Sequence, residues 1–220
     1  RARIGVKATL WNDWLAEIDV DFADNAVEIK DLWAGYAGFD NSVIRLGNFK
    51  APFGLETLTS SKYITFIERG YVDSWAPDRR LGLAYSHWGQ HYQFSLGMFG
   101  AEGGSFNDKD SLTGGGAGTD QEFSPVARFT YAPIVDKTRA LHFGIGATRR
   151  KPDVSKIATS GADLVDRLDA ARIVKLDSRA ETHPLRAKFL STGDMKYVDY
   201  FDQYGLELLG VFGPILFQAE

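Results

Sequence analysis

Residues 1–10 carry Ala2, Ile4, Val6, Ala8 and Leu10 at every even position and Arg1, Arg3, Gly5, Lys7 and Thr9 at every odd one. Successive side chains of an extended chain point to opposite faces, so this segment has one apolar face and one basic face. Residues 14–22 repeat the pattern, with Trp14, Ala16, Ile18, Val20 and Phe22 on one side and Glu17, Asp19 and Asp21 on the other; Leu15 is the exception. Period-two alternation continues at 92–98, 126–131, 141–148 and 215–220. The segment 27–38 changes phase near Lys30-Asp31, which predicts a β-bulge. Turn residues separate the strands at Asn12-Asp13, Asp24-Asn25, Asp40-Asn41, Gly89-Gln90 and Gly213-Pro214. The reading is about ten strands in hairpin order, hence an all-β chain.

Composition supports this. There are 23 Gly, 15 Phe, 9 Tyr and 5 Trp, but no Cys and only 2 Met, a profile of aromatic-rich strands and flexible turns. No apolar run approaches the ~20 residues of a transmembrane helix, and Arg1-Ala2-Arg3 has no secretory core. The chain is therefore either soluble or crosses a bilayer by another route, its signal already removed. A net charge of −4 makes no bulk case for nucleic acid. A missing thiol fits an envelope compartment.

Alternating strands also describe a soluble β-sandwich binding module. Three features favour a transmembrane antiparallel barrel. The strands run ~8–12 residues, near what a tilted strand needs to cross a bilayer. Short turns alternate with longer connections, and Trp11, Trp14, Trp88, Tyr92 and Phe99 gather near strand ends. Three stretches depart from the meander: 51–80, 101–121, and 151–183 with a short helix expected over 163–171.

Residues 45–56, Arg45-Leu46-Gly47-Asn48-Phe49-Lys50-Ala51-Pro52-Phe53-Gly54-Leu55-Glu56, are followed by Leu58-Thr59-Ser60-Ser61-Lys62-Tyr63-Ile64-Thr65-Phe66-Ile67-Glu68-Arg69. This block closely resembles the phosphate-selective porin O and P family. Further pieces agree in collinear order: Asp21-Phe22-Ala23-Asp24-Asn25, Ala76-Pro77-Asp78-Arg79-Arg80, Ser178-Arg179-Ala180-Glu181-Thr182-His183 and Tyr204-Gly205-Leu206-Glu207. The resemblance implies a homotrimeric barrel of about sixteen strands in the Gram-negative outer membrane, surrounded by lipid. About ten strands cannot close such a barrel, so 1–220 is expected to be a partial barrel domain, with residues 51–80 as an inward-folded constriction loop. The implied function is anion-selective diffusion, with inorganic phosphate or polyphosphate as solute. A general or sugar-permeable porin on the same scaffold is the alternative.

Anions are drawn by basic side chains on a low-dielectric wall, and phosphate oxygens are met by Arg forks and by single Lys and Ser donors. Arg1, Arg3 and Lys7 lie on the polar face of the first strand. Arg45, Lys50 and Lys62 are further wall cations. Ser60, Ser61 and Arg69 match the family's constriction motif, with Asp31 at its nearby acidic position. Without the family motif, Ser60 would cap a helical turn starting at Ser61, and Arg69 would be held by Glu68 or Asp73. The family tends to alternate arginines near 179, where this chain has Lys175, Asp177 and Arg179; the acidic interruption, with Glu17, Asp19 and Asp21, opens broader permeation. No enzyme is expected. His87, His91, His142 and His183 are scattered, and no nucleophile elbow, P-loop, dinucleotide motif or metal motif occurs. No cofactor or metal is expected.

Overall fold

The computed structural model describes residues 2–23, 27–66, 68–102, 123–150, 173, 174, 177–179, 188–193, 195, 196 and 198–220. The helix expected over 163–171, the Asp24-Asn25 turn, and nearly all of the 101–121 loop lie outside them. Strands β1 (Arg3–Leu10), β2 (Trp14–Asp21), β3 (Glu28–Tyr36) and β4 (Ser42–Lys50) lead into helix α1 (Leu55–Leu58) and a 3₁₀ turn (Tyr71–Ser74). Then come β5 (Arg79–Trp88), β6 (Tyr92–Glu102), β7 (Ser124–Val135) and β8 (Arg139–Arg150). Short strands β9 (Ile173–Val174), β10 (Asp177–Arg179), β11 (Lys188–Ser191) and β12 (Met195–Lys196) precede the long β13 (Phe201–Phe212) and β14 (Ile215–Ala219).

Ten strands form one sheet in the order β1-β2-β3-β4-β5-β6-β7-β8-β13-β14, with β1 and β14 as its open edges. Neighbours pair antiparallel throughout, the meander expected when each strand turns straight into the next. The small pairs β10–β11 and β9–β12 stand apart. The register shifts between Asp19 and Val20, which face Asp31 and Ile29, so Lys30 is the extra residue of the bulge that the phase change predicted. Tight turns join β1 to β2, β3 to β4, β5 to β6, β7 to β8 and β13 to β14 at one end, while the longer connections 22–27, 51–78, 103–123 and 151–200 all leave from the other. At the first turn Trp11 and Asn12 take positive φ, 49° and 70°, left-handed geometry of the kind that suits the twist of a tight hairpin.

The two faces of this sheet are inverted relative to a soluble fold. Apolar side chains stand open across it: Ile4, Val6, Leu46, Leu83, Leu96, Ile145 and Leu206 are all at least half exposed. Buried positions include Asp21, Ser86, Ser95, Thr130, Thr148, Arg150 and Glu207 on the opposite side. A sandwich would stack a second sheet on the apolar face; none does among the described residues. An apolar face this broad is the signature of a surface that meets something other than water.

Candidate functional site

The polar face is assembled by register. Pairing of β1 with β2 sets Lys7 opposite Glu17 and Arg3 opposite Asp21, and cross-strand partners on one face lie close enough to bond. Lys7 Nζ is 2.9 Å from Glu17, and Arg3 Nε donates to Asp21 Oδ2 at 2.8 Å. The other oxygen of Asp21 accepts the backbone N–H groups of Ala2 and Ala23, both at 3.1 Å. Asp19 stands opposite Asp31. Arg79, at the start of β5, donates twice to Asp31, at 2.8 and 3.2 Å.

Residues 51–78 fold back over this face. Phe49, Ala51, Phe53, Ala84, Phe99 and Val126 form a buried apolar cluster, with Trp33 and Ala76 packed against it. The Phe53 ring rests on Gly146 of β8 and Gly205 of β13, which are direct register partners. A Cβ added at either would lie 3.1 or 3.3 Å from the ring, so these glycines leave a seat that any side chain would fill. Gly54 then turns with φ 77° into α1, and Glu220 accepts the N–H of Glu56 at 3.0 Å. Thr57 Oγ1 donates to Asp73 at 2.7 Å. The far limb of the loop is tied at the Trp75 carbonyl, which accepts from Arg150 Nη2 at 2.6 Å and Gln203 Nε2 at 2.7 Å.

These ties place the expected site residues. Arg69 donates from Nε to the Glu56 carbonyl at 3.0 Å and from Nη2 to the Thr59 carbonyl at 2.8 Å, with Asp73 at 3.8 Å. It braces the loop backbone from within. The Lys50 ammonium donates to the Thr57 carbonyl. Ser60 and Lys62 are exposed and Ser61 is half-buried. A single turn starts at Ser61, with the Tyr63 N–H donating to the Ser60 carbonyl at 2.9 Å and the Lys62 N–H to Ser60 Oγ at 3.5 Å, but it does not continue into a helix. The helix falls earlier, at Leu55–Leu58, because the positive φ of Gly54 and the Glu220 carboxylate start it there. Arg45 lies between rings, its Cζ 4.6 Å from the Phe49 centroid and 5.6 Å from that of Trp33, and among the described residues its Nε has no hydrogen-bond partner. Stacking of this kind holds a guanidinium without neutralising it. Arg1 and Lys175 lie outside the described residues, and Arg179 sits in β10 with its side chain also outside them.

The family profile for phosphate-selective porin O and P matches residues 1–220. The chain belongs to this family. Porin O of Pseudomonas aeruginosa is 26% identical over 235 residues, covering 100% of this chain and 50% of the relative. A protein of Caulobacter vibrioides with no described function is 27% identical over 154 residues, covering 67% of this chain and 29% of that one. The chain thus spans about half the length of Porin O. Its open-edged sheet is a stretch of a porin barrel of the Gram-negative outer membrane. The apolar face is the lipid side and the polar face the luminal one, with tight turns at one end and long loops at the other.

Several luminal residues of this porin escaped the sequence reading. Arg128 clamps Glu207 with two bonds, 2.7 and 2.6 Å, and His142 Nε2 lies 3.1 Å from the same carboxylate. Arg128 stands opposite Gly146, beside the Phe53 seat. Arg128 and His142 each sit on the polar side of an alternating strand, which is the signal that could have singled them out; nothing local marks Glu207, 79 residues from Arg128, as their partner. Arg79 and Arg150 were likewise unmarked. His87 and His91 flank the β5–β6 turn and bond to Ser42 and to the Ala132 carbonyl, and no group of metal-binding side chains occurs among the described residues.

Proposed function

We propose that the complete barrel is a passive outer-membrane channel, a homotrimer, that favours anions, with phosphate or polyphosphate as its solute and residues 51–80 as its constriction. The observation that carries this reading is the loop: it lies over the polar face, is tied to β8 and β13, and offers Ser60, Ser61 and Lys62 where water reaches them. Hydroxyl and ammonium donors suit phosphate oxygens, and a single exposed lysine holds an anion loosely enough to release it. Arg69 serves as the brace that keeps those donors in place, and Arg45 supplies a positive charge on the wall beneath, held between rings with Asp31 and Glu17 near it but not bonded to it. Family membership favours a channel over an enzyme.

The test is single-channel recording of the full-length porin in planar bilayers. Reversal potentials in asymmetric potassium chloride should favour chloride, and added phosphate should block the chloride current. Cation preference, or a current indifferent to phosphate, rejects the reading. One observation favours the second reading, a general or sugar-permeable porin: Arg3, Lys7 and Arg79 each stand against a carboxylate. Sugar-dependent block without phosphate block would establish it.

A further inference from the structure

The β1 and β2 strands carry two ladders, one basic and one acidic, and the antiparallel register lays them rung against rung. Lys7 meets Glu17 and Arg3 meets Asp21 as direct Cα partners, each pair closing to 2.9 or 2.8 Å. Had the turn at Trp11–Asp13 been one residue longer, the rungs would fall out of step and the carboxylates would face the lipid side. The coincidence is therefore a property of this hairpin. Resting on the reading of the polar face as a passage wall, we propose that Glu17 and Asp21 are specificity-determining residues. They offset Lys7 and Arg3, and so confine the channel's anion preference to the level of the loop.

The physics is that of a pair against a lone charge. An anion passing a bare ammonium feels a potential falling as the inverse of distance, whereas one passing a closed ion pair feels a dipole whose potential dies faster. Screening by salt acts over ~8 Å and shortens the reach further. Lys7 is 79% exposed, so its charge would reach the passage if nothing stood beside it. Asp19 adds to the offset: among the described residues it has no ion pair of its own and stands opposite Asp31. Among the described residues, Lys62 on the loop and Arg45 beneath it close no ion pair at contact distance, Arg45 feeling the Asp31 and Glu17 charges only from farther off. An anion would thus meet a nearly neutral approach along this wall and a positive zone only at the constriction, the arrangement of a filter with one short selective step.

The experiment uses the full-length porin in planar bilayers. With Glu17→Gln and Asp21→Asn combined, the chloride-to-potassium permeability ratio should rise roughly two- to threefold, as expected for a bare unit charge several ångströms from the ion in water. Removing a whole rung, Lys7→Gln with Glu17→Gln, should leave the ratio at the wild-type value. An unchanged ratio in the first variant overturns the proposal, as does a rung removal that moves the ratio as far as loss of the carboxylate alone. Asp21 also holds two backbone N–H groups, so Glu17→Gln alone carries the test if the double variant fails to assemble. The chain has no cysteine, which separates the two ways of failing. Glu17→Cys treated with a water-soluble cationic thiosulfonate should change the current. If the current does not respond, the wall is not part of the passage and both readings fall. If it responds while Glu17→Gln leaves the ratio unchanged, only the offset is wrong.

Discussion

Two ion-paired patches on the same face of this sheet differ in what lies over them. The Lys7–Glu17 side chains are 79% and 15% exposed, while those of Arg128 and Glu207 are 9% and 1% exposed. The first stands on the open wall of β1 and β2. The second lies beside the row on which the loop seats Phe53, and a Cβ at neighbouring Gly144 would collide with its carboxylate. Water reaches Lys7 fully and Glu17 in part, so breaking this pair costs less and chiefly alters the field in front of the wall. Neither member of the covered pair can be solvated alone, so breaking it strands a charge. The same chemistry thus tunes permeation in one place and holds the wall together in the other.

The difference is sharpest in stability. Glu207→Gln replaces one of the two oxygens that accept from Arg128 with an amide NH2 and leaves the buried guanidinium without its counter-charge, so it should destabilise the porin by about 3–5 kcal/mol, read as a lowered unfolding midpoint in detergent. Glu17→Gln should stay within about 1 kcal/mol of wild type in the same assay. Equal losses would erase the distinction. Next in size is the seat of the loop. Gly205→Val forces the Phe53 ring away at an overpacking cost of about 1–3 kcal/mol, and it should also change single-channel conductance, since the loop must shift to accommodate it. A destabilised variant with wild-type conductance would mean that the loop does not set the pore. Lys62→Gln should be nearly neutral for stability, within about 0.5 kcal/mol, yet weaken phosphate block several-fold. The rung removal Lys7→Gln with Glu17→Gln is expected to leave permeation unchanged and to change the midpoint by no more than ~1 kcal/mol.

Whatever depends on the two-residue period was legible in the chain. The polar and apolar faces, the hairpin order and the Lys30 bulge all follow from it, because a register slip would move a whole strand's side chains to the wrong side. The loop's place was legible from the block around Lys50 to Arg69, but its conformation was not. Ser60 does cap a single turn, but the helix itself begins at Leu55, where Glu220, far away in sequence, receives the Glu56 N–H. Arg69 reads as an anion-facing cation, and two of its five N–H donors go to loop carbonyls, partners that no local pattern marks. Partners such as Glu207 for Arg128, or Gln203 for Trp75 128 residues away, are set by pairing of strands and docking of a loop far apart in the chain and leave no local trace. A ladder can be read from one strand; whether each rung is neutralised depends on the next strand.

The central claim is that lipid covers the apolar face and water the polar one. Residues 1–220 contain no cysteine, so, with any cysteine elsewhere in the full-length porin replaced, single cysteines at Leu83, Ile145 and Leu206 on one face, and at Lys7 and Lys62 on the other, can each carry a spin label in vesicles. Collision rates with oxygen, which concentrates in the bilayer, should be high for the first three, and those with a water-soluble nickel chelate high for the last two. Labels at Leu83, Ile145 and Leu206 shielded from both reagents would mean that the apolar face is packed into a protein interior, and the account of a passage behind it would be wrong.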